Sequence, residues 1–399
     1  MAQSPNTAYA VAESQIGLAL EATRGTAAAQ PSYMFPVKAP KYKPDLTYIP
    51  DETLQGSMVS VYDLVAGMRY DSHGWDSFPY LDSFPLLVCA ELGSPDTLVT
   101  APTSTTLSSA AVAGATTIST AASIAALAWV TIGAGATLEA HQVKSVSGAG
   151  PYSVVLDSPL VFAQASGAAV TGLTAHTFSL LNNAGSGNQP PSLTLWDNDG
   201  EEWRQMTAAQ LDELTIKGNA TGLVDYTCTW FANPATLNVA APSTSYTGTQ
   251  TPAPWTLTAL IDGSAVGTVV EWEVDLKRGV KPIEALTGTQ EYFLYFANTL
   301  QATGKLTFVE QSGSPYLARY LDGGRGALDL TVFDLEAGNA LQIYSTKCQF
   351  KTGDLTRGKE EVEVEVEFQM LPSSTDATAG GVSPIKITVA NDVTTAYLA

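Results

Sequence analysis

The chain has 399 residues, enough for two ordinary domains or for one large β domain carrying an insertion. Hydrophobic residues make up 45% and charged residues 15%, which excludes a disordered chain and a coiled coil. Nineteen basic against thirty-nine acidic residues leave a formal charge of -20, which argues against a surface that grips nucleic acid by neutralising phosphates.

The first residues, MAQSPNTAYAVAESQIG, lack a basic start followed by an apolar core, so no secretion signal is read and the sequon at Asn219 carries no weight. Next comes PSYMFPVKAPKYKPDLTYIPDETLQG, whose prolines forbid helix and favour an extended arm or edge strand suited to wrapping onto a neighbour. Its aromatic residues Tyr33, Phe35, Tyr42 and Tyr48 are the candidate contacts of that arm. Trp75 to Leu92 carries apolar residues at near-helical spacing and stops at Gly93, so a helix is predicted there, with Pro79 and Pro85 able to divide it.

From Thr97 to Ala175 the texture changes to Ala, Thr, Ser and Gly, with short strand-like runs such as TTIST, AWVTIG, HQVKSV and YSVVLDS. That shift predicts a separate small β domain. Thr97 to Leu138 has no charged residue, yet Pro102, several glycines and few large apolar side chains argue against a membrane span. Larger side chains then return in HTFSLL, PSLTLW, LDELTIKG, DYTCTWFA, WTLTALI, TVVEWEVDLK, GKLTFVEQ, LDLTVFDL, EEVEVEVEF and SPIKITVA. These short period-two runs, separated by Gly, Pro, Asn and Asp, predict antiparallel sheets packed together. Asn198, Asp199 and Gly200 mark a hairpin turn.

The sharpest pattern is Glu361, Glu363, Glu365 and Glu367 alternating with Val362, Val364, Val366 and Phe368. Alternate strand side chains share a face, so the four carboxylates stand about 6.6 Å apart along one side and repel unless water or basic partners screen them. Glu271, Glu273 and Asp275 repeat the design against Val270, Trp272, Val274 and Leu276, as companions in one sheet. Two readings stand: a solvated, edge-protecting outer face, or an acidic wall past which DNA slides without sticking.

Signals for catalysis are thin. His73, His141 and His176 lack ligand partners at helical or hairpin spacing and are expected at the surface or in packing. Cys89, Cys228 and Cys348 lie more than a hundred residues apart, so neither a disulfide framework nor a paired metal motif is readable, and a reducing cytoplasm fits. Gly133 and Gly135 lack the third glycine of a dinucleotide loop, and Gly323-Gly324-Arg325-Gly326 marks a turn. Asp197 and Asp199 miss calcium-loop spacing. No cofactor, metal or catalytic residue is assigned.

The segment IGLALEATRGTAAAQPSYMFPVKAPKYKPDLTYIPDETLQGS resembles the start of siphophage tail tube proteins. HTFSLLNNAGSGNQPPSLTLWDNDG, LDELTIKGNATGLVDYTCTWFANPA, VVEWEVDLKRGVKPIEALTGTQEYFLYFANTLQATGKLTFV and EVEVEVEFQML continue the likeness, which covers roughly 1 to 98 and 176 to 399. The resemblance implies two packed antiparallel sheets with one flanking helix, related to the tubes of contractile tails and type VI secretion. It implies hexameric rings stacked into a tube in the virion tail, made in the host cytoplasm, with tape measure, tip and terminator proteins as partners. It makes Glu271, Glu273, Asp275, Glu361, Glu363, Glu365 and Glu367 candidates for the lumen, through which DNA would pass unbound. The domain expectation is then a tube part at 1–96, an inserted module at 97–175 displayed outside, and a second tube part at 176–399. Two other function classes stay open: a two-domain adhesin whose small module holds sugar, and a β hydrolase using an acidic pair.

Overall fold

A computed structural model describes residues 11–53, 55–182, 187–286, 288–310, 320–357 and 362–398. It is mainly β, built of antiparallel sheets, and among the described residues no sheet closes into a barrel.

Two layers carry the architecture. In the first sheet the strands run, in space, Lys41–Asp51, Asp63–Ser77, Asp225–Ala232, Trp203–Asn219, Val269–Lys277, Gln301–Val309 and Glu363–Met370. The second sheet is ordered Ser264–Ala265, Thr258–Ile261, Arg325–Phe333, Ala340–Phe350, Lys386–Asn391, the distal half of Ala169–Ser179, and Thr97–Val99. They join at one corner, where Cys348–Phe350 pairs with Phe368–Met370. Strict alternation explains the packing between them: Trp272, Val274 and Leu276 from one sheet and Leu328, Leu330 and Ile343 from the other lie in one buried apolar cluster. Gly304 belongs to that fit, since a Cβ there would stand 2.4 Å from the Phe368 ring and 2.3 Å from the Glu273 carbonyl oxygen.

The helix spans Phe84–Leu92 rather than starting at Trp75, which lies in the Asp63–Ser77 strand. Pro85 explains the late start, because proline suits the first helical turn. Gly93 ends the helix in the left-handed region at φ 79°, donating its N–H to the Cys89 carbonyl. All nine helical residues are buried, including Glu91, whose two carboxylate oxygens find no hydrogen-bond partner. Burial pushes the Glu91 carboxyl up to about 8. Buried Arg278 caps the helix, donating from Nε to the Glu91 carbonyl at 2.8 Å and from Nη2 to the Leu92 carbonyl at 3.0 Å.

Residues 105–170 gather a second apolar cluster of their own, centred on Ile118, Val130, Ile132, Val143, Val154 and Leu156. Its strands include Thr117–Thr120, Trp129–Ile132, Glu139–Ser147 and Tyr152–Leu156. The strand Ala169–Ser179 belongs to both units: its first half pairs with Trp129–Ile132 and its second with Lys386–Asn391 and Thr97–Val99. Trp129, Leu173, Phe333 and Ala390 fill the junction.

Candidate functional site

The two acidic strands of the first sheet are not adjacent. Gln301–Val309 runs between them, in a register that sets Glu273 opposite Lys305 and Lys305 opposite Glu367, with Glu271 and Glu365 flanking Thr307. Opposite charges across strands stabilise where like charges would destabilise, so the intervening lysine and threonines are what let two carboxylate rows share one sheet. Lys305 closes an ion pair with Glu365 at 2.9 Å, Lys277 one with Glu213 at 3.0 Å, and the Thr215 hydroxyl donates to Asp275 at 2.7 Å. On the far side of Glu273 stands Lys217. Partial burial, with Asp275 and Glu271 close by, holds the Glu273 carboxyl above its ordinary range.

Of the predicted row, Glu271 and Glu367 are exposed, Glu273, Asp275 and Glu365 half-buried, and Glu363 buried. Glu361 lies outside the described residues. The opposite side of each strand, with Trp272, Val274, Leu276, Val364, Val366 and Phe368, is core, as the alternation requires. The result is one open, net-acidic face carried by three long strands over a rigid interior.

A second feature stands at the sheet's edge. Among the described residues Lys41–Asp51 pairs only with Asp63–Ser77, and the distal half of this hairpin extends past the neighbouring strand. There Ile49 pairs with Val65 and Pro50 with Leu64, and Tyr48, Ile49, Leu64 and Val65 are each more than half exposed, with Met58 fully exposed beyond them. A bare two-stranded ribbon is marginal alone, and this one leaves apolar side chains exposed on both faces, Ile49 with Val65 on one and Tyr48 with Leu64 on the other, as an element awaiting a partner would. Of the four predicted arm aromatics, Tyr48 is on this ribbon. Phe35 is buried in the main core, Tyr33 stacks on Tyr397 at 5.7 Å, and Tyr42 donates its hydroxyl to Asp71 at 2.7 Å.

The histidines are all packing residues. His73 lies edge-on to Trp75 at 5.5 Å, and His176 is held between the Asp96 carboxylate at 2.6 Å and the Val393 carbonyl at 2.9 Å. His141 sits in a buried network, 3.0 Å from Glu139 and 2.9 Å from the Ser158 hydroxyl. Burial opposes its charge, but Asp157 and Glu139 overcome it and raise the imidazole to about 9. Glu139 is itself held by the Val161 and Phe162 amides and by Gln164, which makes the group a closed structural knot. Asp197 and Asp199 are claimed by Arg204 at the predicted hairpin turn, where Gly200 takes φ 94°. The three cysteines are buried and not joined in disulfides, and among the described residues no cluster has metal-ligand geometry. No described helix is long and apolar enough to cross a membrane.

Residues 97–370 match the model of the phage tail tube protein family. The chain belongs to that family. No curated protein matches it. The match begins where the composition turns to Ala, Thr and Ser and ends at the last residue of the Glu363–Met370 strand, so it takes in the whole acidic face. Its role is therefore structural: a component of the virion tail that assembles with copies of itself and with other tail proteins.

Proposed function

We propose that the chain is the major tube subunit of a long-tailed phage, closing into hexameric rings that stack into a hollow tube for DNA. The open face of the first sheet, with Glu271, Glu273, Asp275, Glu365 and Glu367, lines the lumen. Phosphates passing such a wall are repelled, so DNA transits without specific binding. The single observation that carries this reading is the register that puts two acidic strands either side of Lys305 over one apolar underside. The exposed hairpin around Tyr48, Ile49, Leu64 and Val65 engages a neighbouring subunit, extending a sheet across the ring or between rings. Residues 97–175 form a module carried on the tube exterior, away from lumen and stacking faces. Tape measure, tip and terminator proteins bind the tube in the tail, and the subunit is made in the host cytoplasm.

Negative-stain microscopy of the purified chain tests the ring: hollow stacked rings are expected. A chain that remains monomeric at high concentration in every condition would sink it. Charge reversal at Glu273 and Glu365 tests the lumen separately, with tubes intact and DNA delivery impaired as the expected pair of results.

A further inference from the structure

The second sheet's outward face has a different construction from the acidic one. Leu260, Asp329, Tyr344 and Lys386 stand in one cross-strand row, with Thr331 and Gln342 in the next. Over this row the neighbouring unit lays Gln142 and Lys144 from its Glu139–Ser147 strand, Asp157 from the following turn, and Leu127. Together they bound a cleft of about 300 Å³, at the small end of the range for ligand sites.

The walls hold donors and acceptors of both signs. Asp329 accepts from the Gln342 amide at 2.8 Å and from the Thr331 hydroxyl at 3.1 Å. Asp157 accepts from the Gln142 N–H at 3.1 Å. Lys386 lies 4.8 Å from the Tyr344 ring centroid, and among the described residues neither Lys386 nor Lys144 closes an ion pair. At the mouth, Leu127 is 62% exposed and held at φ 67°, a conformation a leucine adopts only under constraint. An apolar side chain is thus kept in water beside a polar cleft.

We propose that this cleft binds a neutral saccharide. An anion would face Asp157; a cation would face Lys144 and Lys386. A neutral polyol meets neither penalty, because each hydroxyl both donates and accepts and matches a wall of carboxylates, amides and ammonium groups. The less polar face of a sugar ring has Leu127 and Leu260 to cover. The volume holds one or two rings, not a peptide segment.

The test is titration of the full-length chain with glucose, galactose, mannose, N-acetylglucosamine and their disaccharides, read by saturation-transfer NMR and calorimetry, with inorganic phosphate and calcium run alongside. Millimolar binding of a neutral sugar is expected, weakened about tenfold by Lys144→Ala or Gln142→Ala, which is about 1.4 kcal/mol. Both side chains reach solvent, and an unchanged melting temperature will confirm folding. Binding of no neutral sugar, tighter binding of phosphate or calcium, or sugar binding indifferent to both variants would overturn the proposal. The same variants viewed by microscopy keep this result separate from tube formation, which the substitutions leave unchanged.

Discussion

The outward faces of the two sheets share an interior and differ in almost everything else. On the first, carboxylates alternate with core residues and are relieved by interleaved lysines and by water. On the second, the row around Asp329 and Gln342 is largely buried beneath the 105–170 unit and relieved by neutral hydroxyls and amides. The same period-two strand thus gives an open electrostatic surface or a sheltered polar one, depending on what is laid over it. Charge on the first responds to salt, because exposed charges are screened over roughly 8–10 Å at physiological ionic strength. Charge on the second responds to pH.

The largest effect should come from the shared interior. Trp272→Ala empties a buried aromatic site behind the acidic face and should cost about 3–5 kcal/mol in denaturant unfolding. A loss that size should release both faces together. Separate unfolding of the second sheet would show that the two are not one cooperative unit.

Next is the exposed ribbon. Ile49→Asp with Leu64→Asp places charge on side chains already more than half exposed, so the melting temperature should hardly move while rings and tubes disappear in micrographs. Intact tubes from this variant would remove the ribbon from the interface.

Asp329 sharpens the contrast. Burial first, then the Asp157 charge, raise its carboxyl to about 7. A folded value above the unfolded one near 3.9 means the fold holds that proton more tightly. The stability it contributes is full below the unfolded value and is lost as the pH rises toward 7. Melting temperature should therefore fall across that window, and Asp329→Asn should flatten the fall, measured by scanning calorimetry from pH 4 to 8. An unchanged slope in the variant would assign the titration elsewhere, with Glu91 the next group to replace.

The smallest effect belongs to Lys305→Gln, which removes a partly exposed pair and leaves Glu273, Glu365 and Glu367 facing a neutral strand. A loss of about 0.2–1 kcal/mol is expected. Added salt should recover most of it, and failure to do so would mean that packing rather than charge is the lysine's contribution.

Much of this was legible in the chain itself because most strands bury an apolar side. Asp225–Ala232, Val269–Lys277 and Glu363–Met370 announce themselves by alternation, and so does the acidic face that the last two carry. Asp63–Ser77 does not, because its buried side at one end is Asp71, His73, Trp75 and Ser77, so hydropathy runs against the pleat and apolar spacing alone places Trp75 in the helix that follows. Prolines at 44 and 50 fitted an edge strand, but nothing in the spacing said which aromatics it would leave bare; that is set by how far the hairpin outruns its neighbour. Lys305 was hidden for a different reason. Its value comes from register, and register between strands distant in sequence has no local signature.

The strand Ala169–Ser179 is also a mechanical link between the two units. A unit tethered by two loose loops can swing and be tugged without disturbing its host. Here one tether is a continuous hydrogen-bonded rod, so a pull on residues 105–170 passes along that strand into Lys386–Asn391 and Thr97–Val99 as shear across a ladder. Ladders loaded in shear must break many bonds at once. Whatever the 105–170 unit touches, its load is borne by the body of the subunit.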